Sequence, residues 1–292
     1  MIDTDGPRAS RGAAAITVTG IAVYAAAFAW LLRTGTTGVT ASADPGATPV
    51  SLWASVLPAL AAMALARLVP PRAALPRPLE GVTGRRLARE TWVLVAAATV
   101  FPVLVIGQNQ SLWYPLAKVL LLLVVPLAAF RLLRGDAPGG RAIPAPVTWL
   151  APLPAVAAWF LLSQAGPLAP PLTQELPDPV TLAVGSLVTL LTAGVLEEVF
   201  YRGWLQTRLE VRYGRWPAIL ASSLLFAAMH TSHLHGDAVG LGLASLAAFQ
   251  GVFGLMQGYL WARYRNIWVL VAVHAVVNLV YVDLLVRALG WS

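Results

Sequence analysis

Nine apolar runs, separated by loops whose arginine content alternates, constrain this chain more than any other feature. The runs occupy 13–32, 52–69, 92–106, 112–133, 147–162, 180–205, 216–229, 239–261 and 267–286. A transmembrane helix needs about 20 predominantly apolar residues, so most of these are of spanning length. The second loop carries Arg72, Arg77, Arg85, Arg86 and Arg89, and the fourth carries Arg134 and Arg141. The sixth carries Arg208, Arg212 and Arg215, and the eighth Arg263 and Arg265. The odd-numbered loops are neutral or acidic; the fifth holds only Glu175 and Asp178. Under the positive-inside rule this alternation predicts an all-α, polytopic membrane protein of about nine spans, with its N-terminus cytoplasmic and its C-terminus outside. The spans divide into an N-terminal region of five, 13–179, and a C-terminal region of four, 180–292. Residues 1–12 are polar and read as a disordered cytoplasmic tail. Ala41-Ser42-Ala43 resembles a signal-cleavage site. The first run, however, exceeds the 7–15 residues of a signal core and reads as a retained anchor.

Composition agrees. Of 292 residues, 58% are hydrophobic and 11% charged, against about 25% charged in soluble domains. The net charge of +7 lies between the apolar runs. It therefore reads as topology and contact with anionic headgroups, and no nucleic-acid partner is expected. The absence of cysteine excludes disulfides, thiol nucleophiles and cysteine-ligated metal.

The sixth run ends in Gly194-Val195-Leu196-Glu197-Glu198-Val199-Phe200-Tyr201-Arg202-Gly203. Each charge near the centre of a membrane helix costs about 2.5–3.5 kcal/mol on insertion scales, so such charges are paired, face a wet cavity or do chemistry. Successive helical residues are turned by about 100°, which puts Glu197 and Glu198 on different faces. Glu198 precedes Arg202 by one turn, the favourable order for an ion pair. Glu197 is left without a partner, which makes it a functional candidate.

Three more polar groups sit at one-turn spacing in later runs. Phe226 and His230 are four apart in the seventh, and His274 and Asn278 are four apart in the ninth. Glu197, His230, His274 and Asn278 together could bind and activate a water. A carboxyl group withdrawn from water serves as general base, and imidazole and carboxamide donate to a developing oxyanion. Taken singly, each residue also fits ordinary helix packing, and Phe226 reads as packing in any case. Glu198 and Arg202 read as a structural pair. His233 and His235, with Asp237, read as loop residues. On depth, His230 comes out about 5 Å higher than the others at 1.5 Å per residue.

These motifs resemble those of the CAAX-protease and bacteriocin-processing (Abi) family of intramembrane endopeptidases. Its pattern is E-E-x-x-x-R, then F-x-x-x-H, then H-x-x-x-N. It stands here as Glu197-Glu198-x-x-x-Arg202, Phe226-x-x-x-His230 and His274-x-x-x-Asn278, with Gly251, Gly254 and Gly258 in the intervening span. The resemblance covers about 180–282. It implies peptide-bond hydrolysis within the membrane, by a four-helix protease core similar to the CAAX prenyl endopeptidase. Glu197 and His230 would activate water, and His274 and Asn278 would hold the oxyanion. Glu197, His230 and His274 would also make a two-histidine, one-carboxylate zinc set. A metal-free glutamate mechanism is favoured, because Asn278 is a poor zinc ligand and no His-x-x-x-His lies on one helix. The expected partners are the lipid bilayer and a membrane-associated protein or peptide substrate. Alanine, arginine, glycine and proline usage suggests a GC-rich bacterial genome, in which prenylated CAAX substrates are not expected. Two rival readings are a non-catalytic scaffold or immunity-type member, and a proton-coupled transporter with Glu197 as carrier. The transporter would favour inverted repeats, and no convincing repeat relates the two halves.

Overall fold

The computed structural model describes residues 10–39, 49–108, 112–134, 142–166, 168–169, 176–234, 239–279, 281, 284–285 and 290. Among them are nine helices: α1 (Arg11–Arg33), α2 (Leu52–Leu68), α3 (Gly84–Leu104), α4 (Trp113–Leu132), α5 (Leu153–Ser163), α6 (Pro179–Tyr213), α7 (Arg215–Ala228), α8 (Val239–Tyr264) and α9 (Ile267–Asn278). Five of these, α1, α3, α4, α6 and α8, are long and apolar enough to cross a membrane. The only strands described are two-residue pieces, Gly38–Val39 against Val50–Ser51, antiparallel. The protein is an all-α, multi-pass membrane protein. Its outward apolar side chains, Val18, Val103, Leu116 and Val180 among them, meet the solvent that suits them in hydrocarbon.

Capping residues set the helix starts, and several differ from the apolar-run boundaries. Ser10 accepts the Ala13 N–H, so α1 begins at Arg11, inside the expected tail; residues 1–9 of that tail lie outside the described residues. Thr83 caps α3 by accepting from Arg86, which turns half of the second basic loop into helix. Asp178 caps α6 through Val180 and Thr181, and Asn266 caps α9 through Trp268 and Val269. Helix α6 runs past its expected end at 205 because Arg208 and Arg212 are as helix-compatible as leucine. It stops where Gly214 adopts φ 89°. Helix α5 is shorter than its run because Pro152 and Pro154 confine it to residues after the cap; a proline fits only the first turn. Helix α9 also ends early, with Leu279 extended.

The arginines of the even-numbered loops meet at one end of the molecule. Arg86 Nη1 donates to the Arg134 carbonyl at 3.3 Å, and Arg263 donates to the carbonyls of Ala66 and Arg67. Glu90 receives Arg86 at 2.7 Å and Arg208 at 2.7 Å, and Arg265 reaches Glu210 at 2.6 Å. At the other end the third loop meets the seventh: the Gly107 N–H donates to the Thr231 carbonyl at 3.4 Å, and the Thr231 hydroxyl donates to the Pro102 carbonyl of α3 at 2.7 Å. This gathering is what the alternation of loops requires.

Glycines let α8 approach α1, α6 and α7. A Cβ at Gly254 would lie 3.1 Å from the Ser223 backbone, and one at Gly258 2.8 Å from Gln206 Oε1. The bare carbonyls are used: Tyr24 donates to Gly251 at 2.9 Å and Gln206 to Gly258 at 2.8 Å. In this interior, close packing of small residues brings polar groups within reach of backbone.

Candidate active site within the helices

The two glutamates lie on a short α-helical step, Leu196–Glu198, between two wide-turned π stretches of α6, Leu190–Val195 and Val199–Gln206. Such departures from regular helix often mark functional sites. Both glutamates and Arg202 are fully buried. The pair expected from spacing is present: Arg202 Nη1 lies 3.0 Å from Glu198 Oε1. The same oxygen also accepts from His274 Nδ1 at 2.7 Å. Glu198 therefore fixes two groups, and it leaves His274 with its Nε2 edge turned toward Glu197, 3.8 Å from Oε2.

Glu197 is not unpartnered, as the sixth run alone suggested. Its Oε1 accepts from Lys118 Nζ of α4 at 2.6 Å, both groups being buried. The partner is 79 residues away, so no pattern within α6 could disclose it. The signal was in the fourth run, where a lone lysine interrupts apolar sequence; an intramembrane cation is itself a functional candidate. The Lys118 ammonium also lies 4.9 Å from the Tyr114 ring centroid. Glu197 Oε2 is buried and has no hydrogen-bond partner among the described residues.

Phe226 organises the site as well as packing it. Its carbonyl faces His230 Nδ1 at 3.0 Å, which directs the N–H of that nitrogen into the backbone. Its ring is 5.0 Å from the His230 ring and 5.8 Å from the His274 ring, edge-on to both. The Arg202 guanidinium stacks on it at 4.2 Å, a cation–π contact. The two imidazoles thus share one aromatic support despite the depth difference expected from helix arithmetic. His230 lies in the 3₁₀ turn Met229–His233 that follows α7. Tyr201, which sequence patterning passed over, buries its hydroxyl in the same region, its ring 5.5 Å from Phe226.

The remaining candidates lie apart. Asn278 is exposed at the last residue of α9, one turn beyond His274, and among the described residues no hydrogen bond joins it to the others. His233 packs edge-on to His230 at 5.6 Å. His235 and Asp237 lie outside the described residues. Glu197, Glu198, Arg202, Phe226, His230 and His274 are therefore linked through a chain of direct contacts, with Lys118 added from α4.

Comparison with protein-family models matches residues 179–280 to a family described as Rce1-like, type II CAAX prenyl endopeptidase Rce1-like. Searches of curated proteins and of solved structures found no match. The matched segment contains all three motifs, on α6, α7 with its 3₁₀ turn, and α9. Residues 179–280 of this multi-pass membrane protein are thus similar to the Rce1-like, type II CAAX prenyl endopeptidase family.

Proposed function

We propose that this protein is an intramembrane endopeptidase that hydrolyses a peptide bond of a membrane-associated protein or peptide with water activated by Glu197. One observation carries the reading. The buried Oε2 of Glu197 faces His274 Nε2 at 3.8 Å, too far for a direct hydrogen bond and within reach of a single bridging water. Glu197 takes a proton from that water as its oxygen attacks the peptide carbonyl carbon. The oxyanion that forms is met by the carboxamide of Asn278, the oxyanion donor that the motif set implies. Glu197 then returns the proton to the leaving amine nitrogen as the C–N bond breaks. His274 keeps one orientation throughout because Glu198 holds its Nδ1, as a carboxylate orients the base in other hydrolytic sites.

Zinc suits these residues poorly. The Lys118 ammonium already occupies one oxygen of Glu197 at 2.6 Å, which places a positive charge where a divalent cation would need its ligand. Among the described residues, no three His, Asp or Glu side chains gather as a metal-ligating group. Purified protein in lipid vesicles, given a library of membrane peptides, should generate new peptide termini at a rate unchanged by chelators. Asn278→Ala should fold normally, since the side chain is exposed, and should lose about 10²–10³ in rate if it holds the oxyanion. Activity lost with zinc removal and restored by its return would overturn the metal-free mechanism and leave the family intact.

The orientation proposed is N-terminus cytoplasmic, with the arginine-bonded end of the bundle inside. Single cysteines at the exposed positions Arg85 and Asp178 test it cleanly in a chain without native cysteine. Arg85→Cys should react only from the cytoplasmic side and Asp178→Cys only from outside. Labelling of both from one side contradicts the nine-span topology.

A further inference from the structure

The site draws on a residue outside the family-matched segment. Lys118 lies on α4, 61 residues before that segment begins at 179. It is the only lysine in the chain; every other basic side chain apart from histidine is arginine. That single lysine is buried, 4% exposed, with its ammonium on Oε1 of Glu197, whose Oε2 has no hydrogen-bond partner among the described residues. The difference between the two side chains matters here. Arginine is a rigid, permanently charged fork, whereas lysine is a compact point charge that makes one short contact and leaves the other carboxylate oxygen clear. A π stretch, Leu120–Val124, begins two residues after Lys118 and widens α4 beside the contact.

We propose that Lys118 is a positioning residue of the proteolytic site: its ammonium pins Glu197 Oε1 and so presents Oε2 beside His274. The proposal rests on the proteolytic reading above for its purpose, though not for its test. The titratable and charged groups around this carboxyl are Lys118 on α4, with Tyr114 beside it, Glu198, Tyr201 and Arg202 on α6, and His274 on α9, with His230 farther off against the Phe226 ring. Arg202 is committed to Glu198. That leaves Lys118 as the cation in direct contact with Glu197 among the described residues, in surroundings where an uncompensated carboxylate is strongly disfavoured.

Infrared difference spectra of the purified protein at neutral pH test this directly. Bands that vanish in Glu197→Gln identify the Glu197 carboxyl. They are expected at nearly the same position in the wild type and in Lys118→Arg. In Lys118→Met they should move, because Oε1 has lost the donor that holds it. Unmoved bands in Lys118→Met overturn the proposal. If Lys118→Met does not fold, the double variant Lys118→Met/Glu197→Gln should fold, since the fault is then an unpaired buried charge. Failure of both would assign Lys118 to packing and overturn the proposal too. Where wild type cleaves peptide, Lys118→Met should be roughly tenfold or more slower, and Lys118→Arg should recover part of the rate. A wild type that cleaves nothing counts against the proteolytic reading, and the infrared result still decides the role of Lys118.

Discussion

Glu197→Gln is expected to remove peptide cleavage while leaving a folded protein. The amide has the shape of the carboxylate but cannot take a proton from water. General-base catalysis by a positioned side chain contributes about 10²–10⁴-fold, and here the same group also returns the proton to the leaving nitrogen. The fold should survive for a reason specific to the partner. Lys118 would lose its counter-charge, but a buried lysine can release a proton and become neutral. Its amine can still hydrogen-bond to the glutamine carbonyl. Thermal unfolding and cleavage, measured on one preparation, check both halves of this expectation.

Glu198→Gln is expected to behave in the opposite way, with a large loss of stability and a loss of activity that follows from it. Glu198 Oε1 serves Arg202 at 3.0 Å and His274 at 2.7 Å. A guanidinium cannot shed its charge as lysine can. Breaking a buried ion pair by removing one partner costs about 3–5 kcal/mol. Arg202 would retain the glutamine carbonyl, the Phe226 face at 4.2 Å and the Gly254 carbonyl at 3.5 Å, none of which carries a full negative charge. The His274 ring would also lose the group that sets its tautomer, so rate per folded molecule should fall as well. Comparing activity per folded molecule separates the two glutamates. A fully folded, inactive Glu198→Gln beside an active Glu197→Gln would reverse their roles.

The periodicity that announces helices is local, and what it announces is present: nine helices among the described residues, with Glu198 and Arg202 paired at one-turn spacing. The same reasoning missed what lies across helices. Glu90 sits among the arginines between the second and third apolar runs. It is a buried carboxylate shared by Arg86 and Arg208, 118 residues apart in the second contact. Tyr24 looked like one more apolar residue of the first run, yet its hydroxyl donates to Ser223 and to the Gly251 carbonyl, both at 2.9 Å. Lys118 stood alone in an apolar run and carried the same warning as Glu197, but each charge could be matched to the other only by a fold that brings α4 against α6. Helix ends were misjudged where capping, rather than apolar patterning, decides them, as at Thr83, Pro152 and Gly214.

Three of the first five helices, which the family match does not cover, support the helices that carry the site. Helix α1 holds α7 and α8 through Tyr24, α3 braces α6 through Glu90, and α4 delivers Lys118. Their substitution should be felt at Glu197 even though the three motifs lie elsewhere.

The central claim is that Glu197 makes this protein a peptidase. The most direct measurement compares the membrane-associated peptides of cells that carry the wild-type protein with those of cells that carry equal amounts of folded Glu197→Gln. The account predicts a defined set of peptide termini present with wild type and absent with Glu197→Gln, their uncut precursors accumulating in the variant. Identical peptide sets in the two cell populations would contradict it.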